Sequence, residues 1–391
     1  MSDDHQFRDY SVTAYGRMIE DQRRTGPFVD ALRQAVRPGS VVLDIGTGTG
    51  IFAFLACRFG AERVYAVEAD AAALDMAKRC AASVPGSERI TWLQGLTTRM
   101  DLPERADIVV GDLHGTLPFF KGNIESLMDA RKRHLKPGGR MLPSRDHLFA
   151  VPAHAPHEYA HIEAPWQRNA YDVDLSAAVP MLVNTWSRAR AEPARPEDLL
   201  AAPQPWGVVD YTSTDSAELD ATLDWTIERG GLMHGLYAWF DGDLGEGFGY
   251  SNAPTLPELV YGRAFFPLER PVAVQPGDHV HTRLAARLFK GSHLFRWDTR
   301  ISAADGSLRA RYAQSTFKAQ STSISELRKA GADYVPALNE DGQVVAAALA
   351  AMDGGRNLQA IADTLTARFP DRYRTPTQAL DEAAKLSQKY G

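Results

Sequence analysis

The chain has 391 residues, which at about 150 residues per domain predicts two or three domains. With 44% hydrophobic and 24% charged residues, the composition is typical of a globular protein and excludes a disordered chain, a collagen-like repeat and a disulfide scaffold. The 43 basic and 49 acidic side chains sum to a net charge of −6, which argues against a broad electrostatic interaction with nucleic acid.

The first half of the chain alternates between helix and strand patterns. Residues 1–36 form a predicted N-terminal helical segment, which Pro38-Gly39 ends before the buried strand VVLDIG. Over residues 37–145 helices and strands then alternate, which predicts an α/β domain with a doubly wound, Rossmann-like parallel sheet.

The pattern changes after residue 145. Residues 146–322 contain short alternating strands, which predict an antiparallel β-barrel, and residues 154–200 form a helix-rich insertion within it. Residues 323–391 predict a small winged-helix-like helical module, in which Asn357 and Thr375-Pro376 begin helices.

The sequence Asp44-Ile-Gly-Thr-Gly-Thr-Gly50 follows the first strand and opens a helix. Its glycines, Gly46, Gly48 and Gly50, allow a tight turn and close approach of a ligand. A dinucleotide site spaces its glycines G-x-G-x-x-G, whereas here the spacing is G-x-G-x-G. Together with Glu68 at the end of the second strand, the motif resembles the class I methyltransferases that use S-adenosylmethionine. The alternative is a plain strand–turn–helix with glycines for packing.

Further segments narrow this resemblance to the protein arginine methyltransferase family. They are YGRMIEDQRRTGPFVDAL, RFGAERVYAVEAD, DIVVGDLHGT, LMDARKRHLKPGGRMLPSR and LYAWFD, in the family's order from about Tyr10 to about Phe317. The resemblance implies a methyltransferase domain joined to a barrel, and a homodimer formed through a helical arm at residues 154–200.

The resemblance also implies a set of residues that bind the cofactor. Arg24 would pair with the cofactor carboxylate, Met18 would lie near its sulfonium, and Glu68 would bind the ribose. Thr97 and Thr98 would edge the adenine, although the family has a glutamate at the position of Thr98. The complete set of expected cofactor-binding residues is Met18, Arg24, Asp44, Gly46, Gly48, Gly50, Glu68, Thr97 and Thr98.

The acceptor site departs from the family pattern. Two glutamates of the family correspond here to Asp112 and Lys121, and its Thr-His-Trp loop corresponds to Leu259-Val260-Tyr261. Because Lys121 would repel a guanidinium, we expect a neutral or anionic acceptor, such as a carboxylate, a keto acid or carbon. Asp112 would orient or remove a proton, and His114 and Lys121 would contact the acceptor.

The C-terminal residues resemble the PqqD-like domains that bind precursor peptides of ribosomal natural products. Eight basic and nine acidic residues from Ser323 onward disfavour the alternative of a DNA-binding module. A packing appendage is the third reading. The leading hypothesis is therefore a methyltransferase acting on such a precursor peptide. A protein arginine N-methyltransferase with a diverged loop and a non-catalytic binding protein are the alternatives.

Other features set expectations about metals and location. His154, His157 and His161, and separately His279 and His281, have spacings compatible with metal ligands, but neither group has a nearby cysteine or cluster of acidic residues, so no metal is expected. With only two cysteines, a polar N-terminus and no apolar run of about 18 residues, we expect a cytoplasmic protein that binds neither membrane nor nucleic acid.

Overall fold

A computed structural model describes residues 11–120, 122–169, 171–189, 194–289, 291–320, 324–329 and 331–391. The chain divides into two compact units between residues 320 and 321, and each unit has its own hydrophobic core. No helix in the described part of the chain combines the length and apolarity needed to cross a bilayer.

Two consecutive helices open the first unit, α1 (Val12–Glu20) and α2 (Gln22–Ala35). Ser11 caps α1 by accepting a hydrogen bond from the backbone N–H of Ala14, and Asp21 caps α2 by accepting one from Arg24. Each cap satisfies an amide that has no partner inside its helix. Both helices lie within the predicted helical segment and are separated at Asp21, and residues 1–10 of that segment lie outside the described residues.

The parallel sheet follows, in the strand order β3-β2-β1-β4-β5. Its strands are β1 (Val41–Ile45), β2 (Arg63–Glu68), β3 (Ile90–Gln94), β4 (Ala106–Val110) and β5 (Leu135–Leu142), and the helices between them are α3 (Ile51–Arg58), α4 (Ala71–Ala81) and α5 (Asn123–Arg133). β1 is buried along its whole length, as expected for a central strand covered on both faces. The predicted doubly wound sheet is confirmed. Its order reverses between β1 and β4, and ligands bind at the carboxyl ends of strands at such a point.

Two antiparallel sheets complete the first unit. The first has the order β7-β12-β10-β6-β8, with β11 paired to β10, and the second has the order β15-β14-β13-β9. The strands are β6 (Arg145–Ala153), β7 (Ser187–Ala189), β8 (Gln204–Asp210), β9 (Leu219–Thr226), β10 (Gly231–Gly245), β11 (Phe248–Ser251), β12 (Arg263–Val274), β13 (His279–Phe289), β14 (Ser292–Ser302) and β15 (Leu308–Ser315).

These sheets correct the predicted barrel. Among the described residues the hydrogen-bonded strands form two separate sheets, and no closed barrel is found. Buried tryptophans link the sheets instead: Trp206 of β8 donates from Nε1 to the carbonyl of Leu284 in β13, and Trp297 of β14 donates to Pro267 in β12. Strand alternation could not separate the two architectures, because both bury every second residue.

The expected arm lies between β6 and β8. It contains α6 (Pro156–Gln167), α7 (Val179–Leu182) and the short strand β7. Tyr171, Val173, Leu175 and Met181 expose apolar side chains along it. A dimer formed through this arm stays a prediction.

The second unit is helical, as predicted. It contains α8 (Ile324–Lys329), α9 (Glu340–Ala351), α10 (Leu358–Arg368) and α11 (Pro376–Tyr390). Asn357 caps α10 by accepting from the backbone of Ala360, and Thr375 forms a capping box with Gln378 at the start of α11, so both predicted helix starts are confirmed. Residues 324–329 and 331–391 contain no strand, and the winged-helix resemblance remains unconfirmed.

Candidate active site

The glycine-rich loop follows β1 at the point where the sheet order reverses. Gly46, Gly48 and Gly50 have φ of 67°, 53° and 84°, in the left-handed region that favours glycine. A Cβ on Gly48 would lie 2.7 Å from Cε1 of Tyr15, and one on Gly46 would clash with Cδ2 of Leu113. The loop therefore has no space for a side chain at Gly46 or Gly48, because Leu113 and Tyr15 already pack against its backbone.

Asp44, at the end of β1, fixes the shape of this loop through hydrogen bonds. Its carboxylate Oδ2 accepts hydrogen bonds from Thr47 Oγ1 at 2.6 Å and from the backbone N–H of Ala53 at 3.0 Å. Burial raises the pKa of Asp44 to about 7, although these two hydrogen bonds oppose the shift. Asp44 is almost fully buried, so it supports the loop and the start of α3.

Glu68 ends β2, beside β1 in the sheet. Its Oε2 accepts from the backbone N–H of Gly48 at 2.9 Å, and its Oε1 accepts from the backbone N–H of Asp70 at 3.0 Å. Burial raises the pKa of Glu68 above its usual value. The carboxylate thus lies at the rim of the glycine loop, where a ligand hydroxyl could reach it.

The two threonines after β3 differ in their surroundings. Thr97 is buried, and its Oγ1 has no hydrogen-bond partner among the described residues. Such an atom is available to a ligand, because an unsatisfied buried hydroxyl is costly. Thr98 is exposed in the same short 3-10 turn.

Arg24, in the first turn of α2, reaches across to the end of β4. It forms a buried ion pair with the carboxylate of Asp112, and its guanidinium also donates to the backbone carbonyl of Met18 at 3.1 Å. The phenol of Tyr261 donates to both oxygens of Asp112 at 2.6 Å. Burial opposes ionisation of Asp112, but Arg24 and His114 hold the pKa of this carboxyl well below its usual range. Asp112 is therefore an ionised carboxylate at neutral pH.

His114 lies between two carboxylates. Its Nδ1 is 3.1 Å from Asp112 Oδ1 and its Nε2 is 2.7 Å from Asp146 Oδ2, at the start of β6. The imidazole is fully buried and stacks on Phe240, with the ring centres 4.9 Å apart. Burial alone would lower the pKa of His114, but Asp146 and Asp112 raise it to about 9. We call Arg24, Asp112, His114 and Asp146 the buried charge cluster.

Sequence reasoning missed three members of this site. Asp146 was not singled out, and neither was Tyr211, whose phenol donates a short hydrogen bond to Asp146 Oδ2. Tyr261 was recognised only as the end of the loop that lacks the family's histidine. No local pattern marks these residues, because their partners lie 32 to 149 positions away in the chain. Lys121, expected at the acceptor, lies outside the described residues.

An open cleft of about 360 Å³ adjoins the cluster. It is lined by Arg23, Tyr250, Ser251, Leu256, Pro257 and Leu259. Backbone N–H of Val260 donates to Asp21 Oδ2 at 2.7 Å, which ties this side of the cleft to the start of α2. No group of three metal-ligating side chains occurs in the part of the chain that the structure describes.

The sequence of the chain is similar to those of known methyltransferases. Residues 24–145 match the family described as ribosomal protein L11 methyltransferase (PrmA). The chain is 31% identical over 242 residues to probable protein arginine N-methyltransferase 6 of Arabidopsis thaliana, covering 60% of this chain and 55% of that protein. It is 31% identical over 297 residues to protein arginine N-methyltransferase 2 of Mus musculus, and this match covers 71% of this chain and 65% of that protein. The chain thus spans little more than half of the first relative and just under two thirds of the second.

Solved structures agree on the fold. Arabidopsis thaliana protein arginine methyltransferase 10 superposes with a TM-score of 0.67 and 20% identity, over 78% of this chain and 97% of that one. A chain of the Trypanosoma brucei PRMT1 enzyme–prozyme heterotetrameric complex with AdoHcy superposes with a TM-score of 0.69 and 18% sequence identity. The match covers 79% of this chain and 98% of that one. The chain therefore contains a class I methyltransferase domain, is homologous to protein arginine methyltransferases and has their fold.

This homology overturns the leading functional hypothesis. A precursor-peptide methyltransferase that prefers neutral or anionic acceptors is wrong, because the relatives are arginine methyltransferases and favour the stated alternative. The expected acceptor rested on Lys121 and the missing family histidine, and the expected precursor peptide rested on the PqqD-like resemblance. The charge at a site depends on every group that reaches it, and Asp112 already accepts a guanidinium from α2.

Proposed function

We propose that this homologue of the protein arginine methyltransferases is itself an S-adenosylmethionine-dependent methyltransferase, and that its acceptor is an arginine guanidinium. The proposal takes up the alternative of a diverged acceptor loop. One observation carries it: Asp112, ionised and buried at the carboxyl end of β4, pairs with the guanidinium of Arg24. A pocket that accommodates one guanidinium against this carboxylate has the charge and geometry for another.

The residues of the glycine loop suit the proposed cofactor. The positive φ of Gly46 and Gly48 lets the loop turn tightly after β1, and the buried Oγ1 of Thr97 has no hydrogen-bond partner among the described residues. Glu68 would accept from the ribose hydroxyls, Arg24 would pair with the cofactor carboxylate, and Met18 would line the sulfonium side. Thr98 would edge the adenine, and Asp44 would hold the glycine loop and the start of α3 in place through Thr47 and Ala53. When bound, S-adenosylmethionine supplies an electrophilic methyl group.

The chain's own contribution to the reaction is binding and orientation. If Arg24 turns to the cofactor carboxylate, Asp112 is left to accept hydrogen bonds from the acceptor guanidinium. Those bonds would aim one guanidinium nitrogen, and Asp112 could take the proton that this nitrogen loses on methylation. The surrounding rings of Phe240, Tyr250 and Tyr261 exclude water, which strengthens each electrostatic contact.

A matched pair of peptides tests this function. We expect the protein to add one methyl group to a glycine-rich peptide containing a single arginine, and not to the same peptide with lysine in its place. Mass spectrometry with fragmentation locates the group. Asp112→Asn should lower the rate at least about tenfold, because a hydrogen bond to a charged group contributes about 1.5–3 kcal/mol. Asp224→Asn, at an exposed carboxylate on β9, is the control. An unmodified arginine peptide would contradict the proposal.

Two finer features belong to the same proposal. The exposed apolar side chains of the arm support a homodimer, since such a surface needs a partner to cover it.

The second unit would bind peptide, as its PqqD-like resemblance implies. Val335→Glu, at a side chain 86% exposed in that unit, should then raise the KM for a long arginine peptide and leave the KM for a short one unchanged. If the variant and the wild type had the same KM for the long peptide, peptide binding by this unit would be contradicted.

A further inference from the structure

The protonation of His114 follows from its two partners. Each ring nitrogen lies within hydrogen-bond distance of a carboxylate oxygen, at 3.1 Å from Asp112 and 2.7 Å from Asp146. A neutral imidazole carries a proton on only one nitrogen and could donate to only one of them. Both contacts are favourable only when His114 is an imidazolium, so the ring acts as a cation with two fixed directions of donation.

The charges of the cluster then sum to zero. Arg24 and His114 contribute two positive charges, and Asp112 and Asp146 contribute two negative ones, all on side chains at most 7% exposed. If Arg24 pairs with the cofactor carboxylate, one net negative charge remains. A single guanidinium would restore neutrality in a region where an unmatched charge is costly.

The two oxygens of Asp112 have different cationic partners. His114 contacts Oδ1, whereas the short contacts from Arg24 are to Oδ2, and Tyr261 reaches both. A carboxylate held at Oδ1 cannot rotate freely, so Oδ2 keeps its direction after Arg24 leaves. The oxygen released in this way is the one already in contact with a guanidinium.

We propose that His114 is a positioning residue: as an imidazolium bound to Asp146, it holds Asp112 Oδ1 and limits the acceptor site to one net negative charge. This assigns His114 a role through Asp112, instead of the direct acceptor contact expected from the sequence. The proposal rests on the proposed function, because it takes arginine as the acceptor. Asp146 is the buried counter-ion, kept in place by the short hydrogen bond from Tyr211.

The surroundings of His114 support this charge state. The titratable groups that face it are Asp112 after β4, Asp146 on β6, Tyr211 after β8, Tyr250 on β11, Tyr261 before β12 and, through Asp112, Arg24 on α2. Burial disfavours the imidazolium, but the two carboxylates outweigh it and raise the pKa of His114 to about 9. The ring is therefore charged at neutral pH and loses its second proton in the alkaline range.

The charge balance of the cluster predicts a recovery of kcat in a double variant that a purely structural role of His114 does not predict. His114→Gln leaves two buried carboxylates with no cation between them once Arg24 binds the cofactor, so we expect kcat on the arginine peptide to fall more than tenfold. The double variant His114→Gln/Asp146→Asn removes the surplus negative charge, and kcat should recover at least threefold over the single variant. Affinity for S-adenosylmethionine should stay within twofold in both. His281→Gln, at an exposed histidine paired with Asp224, is the matched control.

Rates and spectra separate this proposal from the proposed function. The wild-type rate should fall above about pH 9 and the double variant should lack that alkaline decline. In ¹⁵N-histidine-labelled protein at pH 7.5, the His114 signals, assigned with His114→Gln, should show both nitrogens protonated. A neutral His114, or a double variant no faster than His114→Gln, would overturn the positioning role. Failure of the wild type on arginine peptides with a doubly protonated His114 would instead refute the acceptor, and with it the role in arginine methylation.

Discussion

Removing Arg24 and Asp112 one at a time and together tests the buried charge cluster in the unliganded protein. Arg24→Met retains an apolar stem and removes a cation, and Asp112→Asn keeps the side-chain shape and removes an anion. Each single variant leaves one buried charge unmatched, because the four charges of the cluster otherwise cancel. The double variant restores a net charge of zero through His114 and Asp146.

The expected size follows from burial. The Arg24 and Asp112 side chains are only 7% and 3% exposed, so solvent screens the pair little. Breaking a buried pair by removing one partner costs about 3–5 kcal/mol, mainly because the remaining charge is left uncompensated. We therefore expect each single variant to lose about that much free energy of unfolding, and the double variant to lose no more than either single variant.

Urea unfolding followed by tryptophan fluorescence measures these losses selectively. All seven tryptophans lie in the first unit, so the signal does not report the second. Arg33→Met and Asp30→Asn provide the control cycle, because these side chains form an ion pair on the same helix and are 59% and 52% exposed. We expect each control variant to lose at most about 1 kcal/mol of free energy of unfolding. Strictly additive losses from Arg24→Met and Asp112→Asn would refute the charge-balance argument.

Four further outcomes are expected. Because the pKa of His114 is raised from 6.5 to about 9, its stabilisation is complete below pH 6.5 and is lost as the pH rises towards 9; urea unfolding should show this loss in the wild type and much less of it in His114→Gln. Gly48→Ala should weaken binding of S-adenosylmethionine in calorimetry far more than Gly138→Ala, which has a similar positive φ and no neighbour within 4 Å; equal effects would point to backbone strain alone. Glu68→Gln should weaken that binding at least about tenfold, and an unchanged affinity would remove Glu68 from the site. Sedimentation at micromolar concentration should give twice the 42.9 kDa chain mass, and Tyr171→Glu in the arm should shift it towards the monomer; a monomeric wild type would contradict the dimer.

Local sequence patterns predicted the parts of the fold that depend on neighbouring residues. The glycine loop, the capping residues Asn357 and Thr375 and the alternation of strand and helix are all set within about ten residues of chain. The buried charge cluster is different. Asp112 and His114 could be named because the resemblance pointed to their loop, whereas the identity of their partners depends on which distant strands pack against it.

The two errors share this physical origin. A site that repels a guanidinium was expected from Lys121 and the missing family histidine, although Asp112 contacts groups from distant positions, among them Arg24, which is 88 positions away. Likewise, alternating strands specify which side chains are buried and not which strand edges pair, so they could not distinguish a barrel from two sheets joined through Trp206 and Trp297.

The residues around Asp112 come from distant parts of the chain, so their separation sets the order in which this site assembles during synthesis. The parallel sheet is complete at residue 142, but the phenol that donates to Asp112 is 149 positions further along the chain than that carboxylate. A nascent chain can therefore assemble the glycine loop early, while Asp112 still lacks part of its final environment. The environment of Asp112 is complete only when the antiparallel sheets have been made and have docked. Local opening of either layer would expose the same charges to water, so amide exchange at the ends of β4 and β6 should proceed as one cooperative event.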